Sequence, residues 1–308
     1  MKSYTTLRND YGKATLDTSA TNLTAGDGLI NDEIRRVATM ADYPFMHKDR
    51  TVTTVADQQA YALPYDLESV STVKVVVGTT VYSPTPINSQ RQWDILNYGT
   101  YTSDATENYF VKDGEISYWP IPATSSTTTT LNGKLKLRDL NTADNTSQTI
   151  TTLAAGGTAL TVDAGLTVQM VGFWIRPTFS TTANTGDGQW YELSAVGSST
   201  TATLARSYGG LAIAAGTAAS TIAQMPILPD PFQDIPVFRA AEQYWAVKGN
   251  VQKALFFGTK AQNKMAEFNE TYKTNINDPV IDNGFRHDYG YGDFYSPNPN
   301  LYPTGLSG

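Results

Sequence analysis

Apolar residues recur along this chain with two different periods, and the switches between them divide it. Leu7, Tyr11 and Ala14 fall on one side of the segment Tyr4 to Leu16, which predicts a short helix. Thr18 to Leu23 reads as a polar loop. Thr24 followed by Asp27 then matches a capping box in weak form, and Leu29, Ile30, Ile34, Val37, Ala38 and Ala41 give a helical stripe that Pro44 stops. Phe45 and Met46 continue as an apolar clip, expected against the C-terminal helices. From Thr51 the period becomes two. Thr51 to Val55, Gln58 to Leu63, Val70 to Val77 and Thr80 to Tyr82 read as strands. Ser89 with Gln92 forms a second capping box, opening a short helix to Tyr98 that turns Trp93 and Leu96 inward. Tyr109-Phe110-Val111 and Glu115 to Trp119 flank Lys112-Asp113-Gly114, a hairpin signal, and Leu131 to Leu140 alternates as a further strand.

Near Asn141 the texture changes. Asn141 to Gln148 reads as a polar linker, and Thr149 to Gln224 is rich in Thr, Ala, Gly and Ser with few charges. Its runs Leu160 to Val162, Phe173 to Ile175, Gln189 to Leu193 and Thr200 to Leu204 predict a small antiparallel sandwich or barrel. The helical period returns after Leu228-Pro229-Asp230-Pro231, with a continuous helix expected from about Asp234 and Pro236 in its first turn. Val237, Ala240, Ala241, Tyr244, Trp245 and Val247-Lys248 follow the spacing of one buried face. Gly249-Asn250 makes a C-cap and bend, and Val251, Ala254, Leu255, Gly258, Ala261, Met265, Phe268 and Tyr272 form the next stripe.

The pattern predicts an α+β protein. Helices at 1–50 and 227–275 form a bundle from both ends of the chain, 51–145 is a β-rich domain, and 146–226 is an inserted small β domain. Residues 276–308 make an extended tail. That tail carries Phe285, Tyr289, Tyr291, Phe294, Tyr295 and Tyr302 among glycines and prolines, with no lysine. Such a segment does not build a core of its own, while aromatics bring large contact area at low rotamer cost. These six residues are therefore the candidate partner-binding set.

Composition narrows the function. The chain has 308 residues, a net charge of −7, 40% hydrophobic and 17% charged residues, and no cysteine. An acidic balance argues against gripping nucleic acid through its phosphates, yet suits a lining past which DNA slides. Without cysteine there are no disulfides, thiolate metal sites or cysteine nucleophiles, which fits assembly in a reducing cytoplasm. No signal-peptide core or membrane-length apolar run is present, so a soluble, unprocessed chain is expected with no membrane partner.

Candidate chemistry is sparse. The histidines are His47, after Pro-Phe-Met, and His287, in the tail, a poor basis for a catalytic triad. Asp139, Asn141, Asp144 and Asn145 offer calcium-type oxygens without the glycine-centred spacing and terminal glutamate, so they read as turn residues. No phosphate-binding glycine loop occurs, and no carboxylate pair stands out. Trp119, Trp174 and Trp190 are able to stack on sugars but on strands are more often core. No catalytic, metal or cofactor residue is assigned, and an enzyme is not expected.

Certain motifs carry a resemblance. They are Leu7-Arg8-Asn9-Asp10, then Leu29-Ile30-Asn31-Asp32-Glu33-Ile34-Arg35-Arg36 leading to Tyr43-Pro44-Phe45, then Thr53-Thr54-Val55-Ala56-Asp57-Gln58-Gln59-Ala60-Tyr61-Ala62-Leu63-Pro64. The hairpin to Tyr118-Trp119-Pro120 and Leu228-Pro229 before Phe232 and Asp234 complete the set. In this order, over about 3–140 and 226–275, they resemble the bacteriophage head-to-tail adaptors of podovirus type, the tail tubular protein A class. The resemblance implies a structural virion protein assembled in the host cytoplasm, in a ring usually of twelve copies. Such a ring would sit beneath the portal protein, meet a tail nozzle or tube protein, and pass DNA without specific binding. The tail would then bind portal or the neighbouring copy, and 146–226 would contact tail fibres. A glycan-binding tail-spike or fibre-attachment component, with the inserted module as its recognition face, is the alternative.

Overall fold

In a computed structural model, the structure describes residues 1–276 apart from 126, 180–185 and 215–217. The six candidate residues of the tail lie outside the described residues. Among those described, the fold is α+β, with five α-helices, two four-stranded sheets and a closed six-stranded barrel.

Helices α1 (Tyr4–Thr15) and α2 (Ala20–Ala38) open the chain. Ser3 Oγ accepts from Thr6 N at 3.3 Å and Ser19 Oγ from Asn22 N at 3.4 Å, so each helix starts on a serine cap. The expected loop Thr18 to Leu23 is thus mostly helix, and Thr24 lies inside α2. Ser19 wins because its cap lets Leu23 add to the apolar side that packs on the core. A Cβ on Gly26 would come within 2.2 Å of the Tyr11 ring, so a glycine is what lets the two helices close around that tyrosine.

Sheet β1-β8-β3-β4 consists of β1 (His47–Thr53), β8 (Thr128–Leu135), β3 (Leu67–Val77) and β4 (Thr80–Tyr82). The second sheet, β2-β7-β6-β5, comprises β2 (Ala60–Ala62), β7 (Glu115–Trp119), β6 (Asn108–Lys112) and β5 (Thr85–Pro86). Tyr61, Tyr109, Ile116 and Tyr118 of the second meet Val73, Val75 and Leu131 of the first in one core. Strand β3 is bulged against β8, and a Cβ on Gly133 would lie 2.2 Å from Ser69 O. Asp113 and Gly114 both have positive φ, 53° and 81°, the backbone of a tight hairpin turn, as their pairing predicts. Helix α3 (Gln90–Leu96) follows Ser89, but the serine side chain makes no cap bond, so the expected capping box is not formed.

The barrel runs β10-β13-β12-β11-β14-β9, with β9 (Asn145–Leu153), β10 (Ala159–Val162), β11 (Trp174–Pro177), β12 (Tyr191–Val196), β13 (Thr201–Leu204) and β14 (Ala218–Ala223). Pairing of β9 with β10 closes it, and register shifts in β9–β10, β12–β13 and β14–β9 supply the bends that closure needs. Ile150, Leu160, Val162, Ile175, Leu193, Leu204 and Ile222 fill its interior. The linker expected at Asn141 to Gln148 is shorter than its composition suggests, because β9 begins at Asn145.

Helices α4 (Ile235–Val247) and α5 (Val251–Ile276) follow. Pro236 sits in the first turn of α4 and Gly249, at φ 72°, ends it. Leu7, Tyr11, Ile30, Ile34 and Val37 share one core with Ile235, Val237, Ala240, Met265 and Phe268. Phe45 meets the rings of Phe268 and Tyr272 at 6.0 and 5.2 Å. The apolar stripes expected along α4 and α5 are interrupted at the turn between them: Val247, expected on the buried face of α4, is 87% exposed, and the α5 stripe is buried only from Gly258 to Phe268. Ala261, Met265 and Phe268 are covered, whereas Val251 and Leu255 are 66% and 64% exposed. The reason is geometric: the shared core ends before the first turns of α5.

Candidate functional site

A set of buried and half-buried polar contacts lies where the helices, sheet β1-β8-β3-β4 and the barrel meet. The chain enters the barrel through residues 136–144 and leaves it after Ala223, and the helices hold both crossings. Asn31 on α2 donates to Leu140 O at 3.1 Å and accepts from Leu140 N at 2.9 Å. Arg35, one turn later, pairs with Asp139. Gln224 Oε1 accepts from Asn141 N and Thr142 N at 2.8 and 3.0 Å, and its Nε2 donates to Asp139 O at 2.9 Å. At the head of α1, Ser3 Oγ donates to Asp144 Oδ2 at 2.6 Å, and Tyr4 N donates to Gln224 O at 2.8 Å. Asp139 and Asp144, read from the sequence as turn residues, each commit one carboxylate oxygen to these contacts, Asp139 Oδ1 to Arg35 and Asp144 Oδ2 to Ser3.

Beneath the linker lies a buried ion cluster. Arg50 of β1 is 3% exposed and Asp66, just before β3, is 2% exposed. Arg50 Nε and Nη2 lie 3.0 and 2.6 Å from Asp66 Oδ2, and Nη2 is also 2.6 Å from Glu192 Oε1 on barrel strand β12. Lys48 pairs with the other oxygen of Glu192. Burial pulls the Arg50 guanidinium down, but bonds to Asp66 and the charges of Asp66 and Glu192 outweigh it and hold it above its ordinary range. Arg138 differs. It donates to Gln169 O at 2.8 Å and to Val171 O, lies between the Tyr65 and Phe173 rings, and is pulled below its ordinary range by burial. A Cβ on Gly172 would stand 2.9 Å from Arg138 Nη2, so this glycine makes room for the guanidinium.

Beside the cluster opens a cleft of about 340 Å³, bordered by Ile34, Phe45, Lys136, Trp174, Pro226 and Tyr272. Its buried carboxylates, Asp66 and Glu192, already face cations. His47 contacts Asp42 at 2.9 Å on the surface. Among the described residues, no group of three or more His, Cys, Asp or Glu side chains is placed to hold a metal ion, and no helix is long and apolar enough to cross a membrane. Trp174 borders the cleft under Lys48, Trp190 lies under Arg176 at 4.8 Å, and Trp119 meets Tyr101 at 6.0 Å. All three are half-buried rather than core.

What this arrangement does is set the barrel against the sheets and helices. Arg50, Asp66, Arg138, Glu192 and Gln224 were not singled out in the sequence. The available signal was charge at inward register positions: Arg50, two residues from Lys48, is flanked by exposed residues in β1, and Glu192 sits between two buried neighbours in β12.

A helical layer, a pair of facing sheets and a barrel, joined through buried polar contacts, define a multi-part protein whose polar interior ties its parts together. The family model described as SU10 adaptor protein matches residues 2–164, more than half of the chain, and the protein belongs to that family. Membership agrees with the resemblance to phage head-to-tail adaptors and carries a structural adaptor role in the virion. The match takes in α1 and α2, both sheets and strands β9 and β10; α4 and α5 lie beyond it. A comparison with curated proteins gives no match.

Proposed function

We propose that this protein is a head-to-tail adaptor. Copies assemble as a ring, in the twelve-fold form usual for such proteins, between the portal protein and a tail nozzle or tube protein, around the path of the DNA. In this reading 1–50 and 227–275 make one helical bundle, 51–145 the β domain and 146–226 an inserted barrel that reaches tail fibres from the rim. The tail, 276–308, binds portal or the neighbouring copy through Phe285, Tyr289, Tyr291, Phe294, Tyr295 and Tyr302.

The observation that carries this reading is family membership across the first helices and both sheets. Two features support it. The net charge of −7 suits a channel that must not retain DNA. The tail concentrates aromatics, the residues most used as interface anchors. The test is deletion of residues 276–308, followed by melting and co-sedimentation with purified portal. The truncated chain is expected to melt as the full chain does and to lose portal binding or ring formation; undiminished assembly would overturn the assignment.

A further inference from the structure

Large apolar side chains are left exposed at the elbow between α4 and α5. Val247 is 87% exposed, and Val251, Leu255 and Phe256 follow it on the first turns of α5, each more than half exposed. Val247, Val251 and Leu255 are positions that the helical spacing marks for burial and that their own chain leaves bare. Four large exposed side chains within residues 247–256 are more than the scattered singles of an ordinary surface. The patch is also basic. Lys253 Nζ stands 3.9 Å over the Trp245 ring, Lys260 Nζ 4.4 Å over Phe256, and Lys248 Nζ 5.5 Å over Tyr244. The acidic groups facing it are few. Asp17 lies near Lys248, and Glu242 is paired with Arg239 at 2.8 Å.

The chain itself contains a segment of matching chemistry. Residues 277–308 hold Asp278, Asp282, Asp288 and Asp293 against the single basic Arg286, interleaved with the six aromatics. That segment departs from the opposite end of α5. A 26-residue helix is about 39 Å long at 1.5 Å per residue, so the patch and the point at which the tail begins lie toward opposite ends of α5. Two complementary surfaces at separate places on one subunit make a heterologous, head-to-tail contact, which closes into a ring or extends as a filament. We infer that the α4–α5 elbow of one copy receives the acidic, aromatic tail of a second copy. Lysines on aromatic faces form the floor, aspartates pair with them at the rim, and the tail aromatics cover Val247, Val251, Leu255 and Phe256. The inference rests on the reading that the tail engages a companion, and it names the companion and the site.

The test is a charge exchange in the full chain. One variant carries Lys248→Glu, Lys253→Glu and Lys260→Glu; the other carries Asp278→Lys, Asp282→Lys, Asp288→Lys and Asp293→Lys. Self-association is measured by sedimentation over a range of concentrations, with melting curves to confirm folding. Each variant alone is expected to associate at least tenfold more weakly than the parent, and their equimolar mixture to recover association. A neutral variant, Leu255→Gln with Phe256→Gln, is expected to weaken association without altering melting, which covers the case of a misfolded charge variant. A parent chain that stays monomeric, variants that associate like the parent, or a mixture that stays apart each overturn the inference. Recovery only when both exchanges sit in one chain also overturns it, since the tail then lies on its own elbow. If tail reversal abolishes portal binding but leaves self-association intact, the elbow contact falls and the adaptor reading stands. If it changes neither, both fall.

Discussion

Arg50 and Glu192 are 142 positions apart in the chain, and their side chains meet at 2.6 Å in the interior. One comes from the outer strand of a sheet, the other from the wall of the barrel, and Asp66 completes the pair from the loop before β3. Replacing Arg50 by Met removes the cation and leaves two carboxylates buried. A loss of about 3–5 kcal/mol is expected, the range for breaking a buried pair from one side. Urea unfolding at neutral pH checks this. Because the barrel side carries one of the carboxylates, Glu192→Gln is expected to loosen the barrel first, visible as a separate early transition.

The amide of Gln224, on the segment that leaves the barrel, holds the backbone of the segment that enters it, accepting from Asn141 and Thr142 and donating to Asp139. Gln224→Ala strands two N–H groups and one carbonyl. A destabilisation of about 1–3 kcal/mol is expected, the usual range for unsatisfied buried groups. Hydrogen exchange should show the amides of Asn141 and Thr142 losing protection while the barrel interior at Ile150 keeps it.

Two glycines in α2 are expected to respond in opposite directions. A Cβ at Gly26 collides with the Tyr11 ring, so Gly26→Ala should destabilise by about 1–3 kcal/mol, the range for overpacking. A Cβ at Gly28 meets nothing within 4 Å on an exposed helical face, so Gly28→Ala should stabilise by about 0.5–1 kcal/mol. Paired thermal melts separate the two outcomes.

Burial pushes the Tyr11 phenol up to about 12, with the charges of Tyr244, Asp17 and Asp27 acting in the same direction. The folded pKa is raised above the unfolded value of 10, so the stability it contributes is complete below pH 10. It is lost as pH rises through 12. Denaturant unfolding between pH 9 and about 12 should therefore fall more gently for Tyr11→Phe than for the parent. An equal slope in both would show that Tyr11 ionises as freely in the folded chain as in the unfolded one.

How far the fold could be read from sequence depended on how strongly local pattern and tertiary packing agreed. Both do so in α1, in α4 with Pro236 in its first turn, and in the Asp113-Gly114 hairpin, and there the expected elements stand. Agreement fails in β9 and β14. Their Thr, Ser and Ala positions carry little hydrophobic contrast, and what makes them strands is the closed hydrogen-bonded ring of the barrel. The pattern places the start of α2 too late because Thr24 with Asp27 resembles a capping box, whereas Ser19 is the residue that caps the helix and its choice gains Leu23 for the core. The first half of α5 reads as buried because spacing reports which side is apolar and not whether anything covers it. Of the candidate site, the tail aromatics remain a proposal. The polar joint was not legible, since Lys48 and Arg50 on β1, Asp66, Arg138, Glu192 and Gln224 come from distant parts of the chain and only the fold brings them together.

The adaptor reading is tested most directly by electron microscopy of the purified full chain, alone and mixed with portal, alongside the chain lacking residues 276–308. The account predicts closed rings seated on portal for the full chain and unattached subunits for the shortened one. Rings that dock equally well without those residues, or a full chain that ignores portal altogether, would contradict it.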